Sequence, residues 1–235
     1  MHPIFDGVKA VFVDVDDTLL DFRLCAAEAL QRACAENGIS FESAFVDIFL
    51  TINAEFWHGI ERGERTRDEV YRVRFDTIFP AWHIQTDVPA AAFDTCFRRY
   101  LNLACEPVEG APEALKCLAM KFPVYAASNA TTKQQVKRLT DAGMMPLLAG
   151  MFVSDAVGAD KPNKEFFDVC FSSLPGLLPS DTVMLGDSPT ADIVGAKRYG
   201  MRTLWLDRRK GQAACAEADV TVTSMSDVVK LLDGR

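Results

Sequence analysis

The sequence predicts an α/β protein in which a doubly wound parallel sheet is interrupted by an inserted domain of four helices. From Ala104 to the end of the chain, strand-like and helical stretches alternate, which is the pattern of βαβ units and of a parallel sheet covered on both faces. Between Phe22 and Leu103 the apolar residues follow a helical period instead. We therefore predict a core domain of residues 1–20 and 104–235 and a helical domain of residues 21–103.

The first predicted strand covers residues 11–15 and is apolar apart from Asp14. A strand that is buried on both faces is typical of a parallel sheet. A carboxylate in such a strand loses its hydration, so a cation or a set of hydrogen-bond donors must stabilise it. Asp14 therefore needs an explanation other than packing.

The helical domain is predicted from apolar residues that recur every three or four positions, as on one face of an amphipathic helix. Two such series are Phe45, Phe49, Ile52 and Phe56, and Tyr71, Phe75 and Ile78. Thr66 and Glu69 have the spacing of a capping box, and Asn37-Gly38 is a helix stop signal. These signals fit four helices.

The remaining elements of the core follow in alternation. Turn residues, helix caps and β-branched runs delimit them. The predicted helices cover residues 112–120, 131–142, 163–172 and 190–199, with a terminal helix from about residue 226. The predicted strands cover residues 124–127, 151–153, 182–185 and 202–206, with a last edge strand at Val220 and Val222.

Asp14 and Asp16 form the first candidate site. A single aspartate after a strand is typical of a turn, in which Asp17 or Thr18 would cap the next element. Two aspartates at i and i+2 differ, because strand geometry points both side chains to the same side. Carboxylates gathered in this way repel one another unless a cation joins them, so the pair favours a divalent metal site.

Other polar groups follow the later strands. Doubly wound, Rossmann-like sheets bind ligands beyond the carboxyl ends of their strands, near the point where the strand order reverses. Ser128-Asn129 follows one predicted strand, the segment from Asp187 to Asp192 follows another, and Lys161 lies in a loop beyond a third. Each alone is typical of a helix cap or a solvated loop. Together they are the groups that a phosphate site requires.

The composition narrows the class of partner. The formal net charge of −8 argues against a broad surface that neutralises nucleic-acid phosphates. No apolar stretch approaches the roughly 20 residues of a membrane span, and the first ten residues do not have the pattern of a signal peptide. We expect a cytoplasmic protein with neither a nucleic-acid nor a membrane partner.

The ordered motifs resemble those of the haloacid dehalogenase (HAD) superfamily of phosphohydrolases. They are D-x-D-x-T after the first strand, Ser128 after the second, Lys161 before a proline, and G-D-x-x-x-x-D after a later strand. The resemblance covers essentially the whole chain, including a helical C1-type cap between the first motif and the second strand. It implies an enzyme that uses Mg²⁺ to act on a small phosphorylated metabolite.

The same resemblance implies a role for each motif residue. Asp14 would be the nucleophile that forms an aspartyl phosphate, and Asp16 the general acid and base. Mg²⁺ would be held by the carboxylates of Asp14 and Asp187 and by the backbone carbonyl of Asp16. The phosphate-binding groups would be Ser128, Asn129 and Lys161. Asp192 and Thr18 would not contact the ligand but would hold the residues that do.

Three stretches look most like the pyrimidine 5'-nucleotidase branch of the superfamily. They are DVDDTLLDF, WHGIERGERTRDEV and GDSPTADIVGAKRYG. This resemblance implies hydrolysis of a nucleoside 5'-monophosphate. The alternatives are a sugar-phosphate or phosphoglycolate phosphatase, a phosphomutase, a dehalogenase, and a non-catalytic phosphate-binding or signalling domain; Asp16 argues against the dehalogenase. We expect a monomer or a homodimer.

Overall fold

The computed structural model describes residues 1–208 and 215–234, and its strands form a single parallel sheet. In the described part of the chain the sheet has six strands in the order β3-β2-β1-β4-β5-β6. The strands are β1 (Ala10–Val13), β2 (Val124–Ser128), β3 (Gly150–Val153), β4 (Thr182–Gly186), β5 (Arg202–Leu206) and β6 (Val220–Val222). This architecture confirms the predicted doubly wound α/β fold.

The order of the strands reverses at β1. The chain runs outward from β1 through β2 to β3 on one side, and through β4 and β5 to β6 on the other. Val11 pairs with Val124 of β2 and with Val183 of β4. The carboxyl end of β1 is therefore the switch point at which sheets of this type bind ligands.

The sheet is covered on both faces, as the apolar character of β1 predicts. Val11 and Val13 lie in one hydrophobic cluster with Leu115, Leu139 and Val228. Phe12 points to the opposite face and packs with Phe166, Phe167 and Met184 in a second cluster. Because successive side chains of a strand alternate between faces, both clusters depend on the same four-residue strand.

Apart from the short helix Ser154–Val157, which the sequence did not predict, the helices of the core lie close to their predicted positions. They are α5 (Ala111–Ala119), α6 (Thr132–Asp141), α7 (Ser154–Val157), α8 (Lys164–Ser172), α9 (Gly195–Tyr199) and α10 (Met225–Asp233). One prediction is wrong in detail: the single helix expected over residues 190–199 is a π-helical turn, Pro189–Val194, followed by α9. That wide turn brings Asp192 close to Gly186.

Residues 22–106, all of which the structure describes, form a unit of four helices. They are α1 (Phe22–Glu36), α2 (Ala44–Glu61), α3 (Arg67–Ala81) and α4 (Ala90–Leu101). Their interior is aromatic; the ring centroids of Phe75 and Phe93 are 4.7 Å apart. The capping box predicted at the start of α3 is confirmed, because Thr66 and Glu69 cap each other's backbone N–H groups.

Contacts within the chain define two compact units, residues 1–21 with 107–235, and residues 22–106. We call the first the core unit and the second the helical unit. Residues 209–214 and 235 of the predicted core domain lie outside the described residues. Within the described ranges, no helix is both long enough and apolar enough to cross a bilayer.

Candidate active site

Asp14 lies at the switch point, immediately after β1. Its backbone N–H donates to the carbonyl of Leu185 in β4 at 2.9 Å, which continues the strand pairing to the edge of the site. Its side chain is 11% exposed. The sheet therefore holds this carboxylate out of bulk water while leaving it at the end where a ligand would bind.

Lys161 is the cation that stabilises Asp14. Its side chain is buried, and Nζ donates to Oδ1 of Asp14 at 2.7 Å, to Oδ1 of Asp192 at 2.7 Å and to the carbonyl of Ala127 at 2.6 Å. An ammonium group has three protons, and these three bonds use all of them. Burial lowers the pKa of Lys161, but Asp14 and Asp192 outweigh burial and raise it overall.

Asp192 holds Lys161 from the π-helical turn. Its Oδ1 accepts from Lys161, and its Oδ2 accepts from the backbone N–H of Ser188 at 3.0 Å. The wide turn brings this carboxylate against Gly186, where a Cβ atom would lie only 2.2 Å from Oδ2 of Asp192. Glycine is therefore required at position 186 for the close approach.

Three carboxylates gather at this point. Oxygens of Asp14, Asp187 and Asp192 all lie within 4.8 Å of one another. Burial, with further contributions from Asp192 and Asp16, raises the pKa of Asp14 to about 7 against the lowering effect of Lys161. Burial and the neighbouring carboxylates therefore outweigh the effect of Lys161 on the pKa of Asp14.

This donor set fits Mg²⁺. All three groups offer carboxylate oxygens, which are the ligands that a hard divalent cation prefers. Both oxygens of Asp192 already accept, one from Lys161 and one from Ser188, so this carboxylate is the least suited of the three to hold the ion. The side chain of Asp16 is not a member of this group. Metal binding by its backbone carbonyl stays a prediction.

Asp16 and Ser128 are joined by two residues that the sequence analysis missed. Both oxygens of Asp16 accept, Oδ1 from Nη1 of Arg138 at 2.6 Å and Oδ2 from Nε2 of Gln135 at 2.7 Å. Nε2 of Gln135 also donates to Oγ of Ser128 at 2.9 Å. The predicted proton-transfer group and the predicted phosphate-binding hydroxyl therefore share one hydrogen-bonded network.

The helical periodicity of α6 indicates that Gln135 and Arg138 are buried. Both lie on α6, three residues apart, and they share a face of that helix with Leu139, which is buried. Two polar residues on the buried face of an amphipathic helix require partners, since an unpaired buried polar group is costly. That periodicity points to both positions, although it does not identify their partners.

The side chains of the two remaining predicted residues, Asn129 and Thr18, differ in their hydrogen bonds. The side-chain amide of Asn129 makes two hydrogen bonds with the backbone of Lys161. Its Nδ2 donates to the Lys161 carbonyl, and its Oδ1 accepts from the Lys161 N–H, both at 2.8 Å. Its side chain thus positions Lys161. Thr18 is fully buried, and its hydroxyl has no hydrogen-bond partner among the residues that the structure describes. The phosphate-binding role predicted for Asn129 and the supporting role predicted for Thr18 stay predictions.

Fold and site together define a hydrolase with a doubly wound α/β core and an aspartate-rich site at its switch point. The chain belongs to the haloacid dehalogenase-like hydrolase family, whose model matches residues 8–200. This match confirms the resemblance drawn from the sequence motifs.

Similar proteins have related descriptions. The putative HAD-hydrolase YfnB of Bacillus subtilis is 33% identical over 199 residues, which are 85% of this chain and 84% of that protein. A crystal structure of YfnB bound to magnesium has a TM-score of 0.88 and 29% identity, covering 96% of this chain and 99% of that one. The pyrimidine 5'-nucleotidase PynA of Streptococcus pneumoniae is 28% identical over 96% of this chain and 95% of its own. The pyrimidine 5'-nucleotidase YjjG of Escherichia coli is 25% identical over 94% and 96%, respectively.

Proposed function

We propose that this protein is a Mg²⁺-dependent phosphatase that hydrolyses a small phosphomonoester, a nucleoside 5'-monophosphate, through an aspartyl phosphate on Asp14. The observation that carries the proposal is the setting of Asp14. This buried carboxylate ends the central strand, pairs with Lys161 at 2.7 Å and shares a cluster with Asp187 and Asp192. Such a site suits in-line transfer of a phosphoryl group, which depends mainly on positioning and on charge.

In the first step, a carboxylate oxygen of Asp14 attacks phosphorus, and the bond from phosphorus to the ester oxygen breaks. Asp16 donates a proton to the departing alkoxide, so that a neutral alcohol leaves. The hydroxyl of Ser128 donates a hydrogen bond to a phosphate oxygen. Lys161, positioned by Asp192 and Asn129, keeps a positive charge beside Asp14.

In the second step, water attacks the aspartyl phosphate and Asp16 takes its proton. The bond between phosphorus and the Asp14 oxygen breaks, which releases inorganic phosphate and restores both carboxyl groups to their starting states. When bound, Mg²⁺ supplies the positive charge that allows phosphate and carboxylates to approach one another. Asp14 and Asp187 would hold it, together with the backbone carbonyl of Asp16.

The nucleotide as substrate is supported by the relatives. PynA and YjjG are both pyrimidine 5'-nucleotidases, and each aligns with nearly the whole chain. The alignments therefore include the helical unit as well as the core unit. For this reason we place nucleoside 5'-monophosphates, and pyrimidine ones first, ahead of sugar phosphates and phosphoglycolate.

The test is release of inorganic phosphate from a panel of compounds, with Mg²⁺ and with EDTA. The panel contains the 5'-monophosphates of uridine, cytidine, thymidine and adenosine, then glucose 6-phosphate, phosphoglycolate and p-nitrophenyl phosphate. We expect Mg²⁺-dependent release that is fastest from the pyrimidine nucleotides. Release from the Asp14→Asn variant should fall to background.

Other outcomes would redirect the proposal. Preference for a sugar phosphate or phosphoglycolate would keep the chemistry and replace the substrate. Isomerisation of a sugar phosphate without release would indicate a mutase. Halide release from a 2-haloacid, with no phosphate release from any ester, would overturn the phosphatase assignment.

A further inference from the structure

We propose that Gln135 and Arg138 are positioning residues that fix the carboxylate of Asp16 and the hydroxyl of Ser128 in one geometry around the same phosphoester. This inference rests on the proposed phosphatase function, in which Asp16 exchanges protons and Ser128 contacts the phosphate. Neither Gln135 nor Arg138 belongs to the sequence motifs considered above. Both are fully buried, and both reach the site from α6.

The amide of Gln135 can take only one orientation in this network. Its Nε2 donates to Oδ2 of Asp16 at 2.7 Å and to Oγ of Ser128 at 2.9 Å, while its Oε1 lies 3.3 Å from Nη1 of Arg138. Rotating the amide by 180° would bring its oxygen against the Asp16 carboxylate and place its hydrogens against the guanidinium group. The Asp16 carboxylate and the Arg138 guanidinium thus each favour the orientation in which Nε2 of Gln135 faces Asp16 and Ser128.

That orientation determines the direction of the Ser128 proton. A hydroxyl oxygen that accepts a hydrogen bond from Gln135 must direct its own hydrogen elsewhere. Since Ser128 ends β2 at the carboxyl edge of the sheet, its proton is available to a ligand at that edge. Gln135 thereby makes Ser128 a donor toward the phosphate.

The network orients Asp16 without blocking proton exchange. A carboxylate has about four lone-pair positions, and the donors from Arg138 and Gln135 use one on each oxygen. Each oxygen keeps another position for the transferred proton. The Asp16 side chain remains 32% exposed, whereas that of Arg138 is 0% exposed.

A role confined to stability explains this arrangement less well. A fully buried guanidinium is costly, and apolar residues of similar volume on the same face of α6 would pack at least as well. The carboxylate that it binds is also the exposed partner, two residues from Asp14. The cost of burying Arg138 is explained if Gln135 and Arg138 orient Asp16 and Ser128 at the site.

The experiment compares Arg138→Met and Gln135→Met with Lys137→Met as a matched control. Lys137 is the neighbouring residue on α6, and it pairs with Asp141 on the surface. Two aryl esters serve as substrates: phenyl phosphate, whose leaving group needs a proton, and p-nitrophenyl phosphate, whose leaving group departs without one. The ratio kcat/KM reports the step that forms the aspartyl phosphate, and neither ester requires the protein to be a nucleotidase.

We expect Arg138→Met to lower kcat/KM for phenyl phosphate roughly 100-fold, because a misplaced acid loses most of its contribution. The loss for p-nitrophenyl phosphate should be under about threefold, since that leaving group does not draw on the acid. Gln135→Met should lower kcat/KM for both esters, because Ser128 is released as well as Asp16. Arg138→Lys should restore part of the phenyl phosphate rate, and Lys137→Met should match the parent.

Equal losses on both esters from Arg138→Met would indicate general damage to the fold and overturn the inference. Crystal structures of Arg138→Met and Gln135→Met supply a readout that does not depend on activity. We expect the Asp16 carboxylate to move by more than about 1 Å in both variants, a displacement sufficient to cost a large factor in rate. Unchanged positions of Asp16 and Ser128 would also overturn it. A parent inactive on both esters and on the whole panel of phosphomonoesters would refute the proposed function, and the structures alone would then decide the positioning role.

Discussion

The two units of the molecule each bury a cluster of charged side chains, and the clusters differ in their balance of charge. In the helical unit, Arg74 donates to Oδ1 of Asp94 at 2.6 Å and Arg98 donates to Oδ2 at 2.6 Å. In the core unit, Lys161 faces Asp14 and Asp192, with Asp187 close by. Two cations share one carboxylate in the first cluster, whereas in the second Lys161 pairs with two carboxylates and the third, Asp187, has an oxygen within 4.8 Å of theirs.

The surroundings of the two clusters also differ in how well they stabilise the buried charges. Arg74 also donates to Oδ1 of Asn53 at 2.8 Å, and its guanidinium lies 5.1 Å from the ring centroid of Phe97. An anion, an amide and aromatic faces stabilise its positive charge, while its Nη2 has no hydrogen-bond partner among the described residues. Asp14, by contrast, has its pKa raised to about 7, chiefly by burial. A buried carboxylate that is matched by cations stabilises a fold, whereas a cluster with more carboxylates than cations among the described residues is suited to bind a metal ion.

The largest expected effect comes from Asp14→Asn. An amide does not attack phosphorus, so phosphate release should fall by at least roughly 10⁴-fold. In EDTA the same variant should melt at a higher temperature than the parent at pH 8, because it removes an ionised carboxyl that burial and the neighbouring carboxylates disfavour. Phosphate assays and thermal unfolding check the two results. Retained activity would remove Asp14 from the nucleophile role.

Arg74→Met tests the cluster of the helical unit. Removing one partner of a buried ion pair should lower the free energy of unfolding by about 3 kcal/mol. Arg32→Met is the control, because the pair of Arg32 with Glu28 on α1 is half exposed and should cost no more than about 0.5 kcal/mol. Urea denaturation measures both. Similar losses in the two variants would contradict the view that the Arg74 cluster holds the helical unit together.

Asp187→Asn tests the cluster of the core unit. Loss of one carboxylate should raise the Mg²⁺ concentration for half-maximal activity roughly 100-fold, at the upper end of the effects seen when a metal site is disturbed. Asp141→Asn, on the surface of α6, should leave the Mg²⁺ dependence unchanged. The increase in melting temperature caused by Mg²⁺ measures the same affinity without turnover. An unchanged response in Asp187→Asn would place the metal elsewhere.

The smallest effect is the dependence on pH of the metal-free protein. Folding raises the pKa of Asp14 from its ordinary value near 3.8 to about 7. The folded state therefore binds more protons than the unfolded state between these values, and the stability contributed by protonated Asp14 is lost as the pH rises through about 7. The slope of the unfolding free energy should reach at most about 1.4 kcal/mol per pH unit.

Thermal unfolding in EDTA between pH 4 and pH 8 measures this slope, with Asp14→Asn as the variant that should lack it. Mg²⁺ competes with the same proton, so its affinity should weaken up to about tenfold per pH unit below pH 7. An Mg²⁺ affinity that is constant from pH 5 to pH 8 would show that the ion does not bind an ionised Asp14.

Much of the fold could be read from the sequence because local signals and the fold agree. β5 and β6 occur as predicted, and the stop at Asn37-Gly38 and the capping box at Thr66 fall where the sequence places them. The motif residues lie at or beyond the carboxyl ends of the strands: Ser128 ends β2, Asp192 lies in the π-helical turn after β4, and Asp14, Lys161 and Asp187 lie in the connecting segments. Parallel strands bring their carboxyl ends to a common edge, so their proximity follows once the order of elements is known.

Tertiary structure alone decided how these residues are connected. Gln135 meets Asp16 across 119 positions in the chain, and Lys161 meets Asp14 across 147. Such contacts depend on strand order and on the rotation of α6, which local periodicity does not specify. The engagement of Asn129 by the backbone of Lys161 is of the same kind.

The sequence by itself determined the order of strands and helices, the four-helix insertion, and the residues that could carry chemistry. It could do so because hydrophobic periods, caps and turn residues act over a few neighbours. Only the tertiary structure decided that the turn before α9 is wide enough to bring Asp192 against Gly186, and that Arg138 and Gln135 fix Asp16. Those outcomes depend on hydrogen-bond geometry between distant segments, which forms only when the whole sheet is assembled.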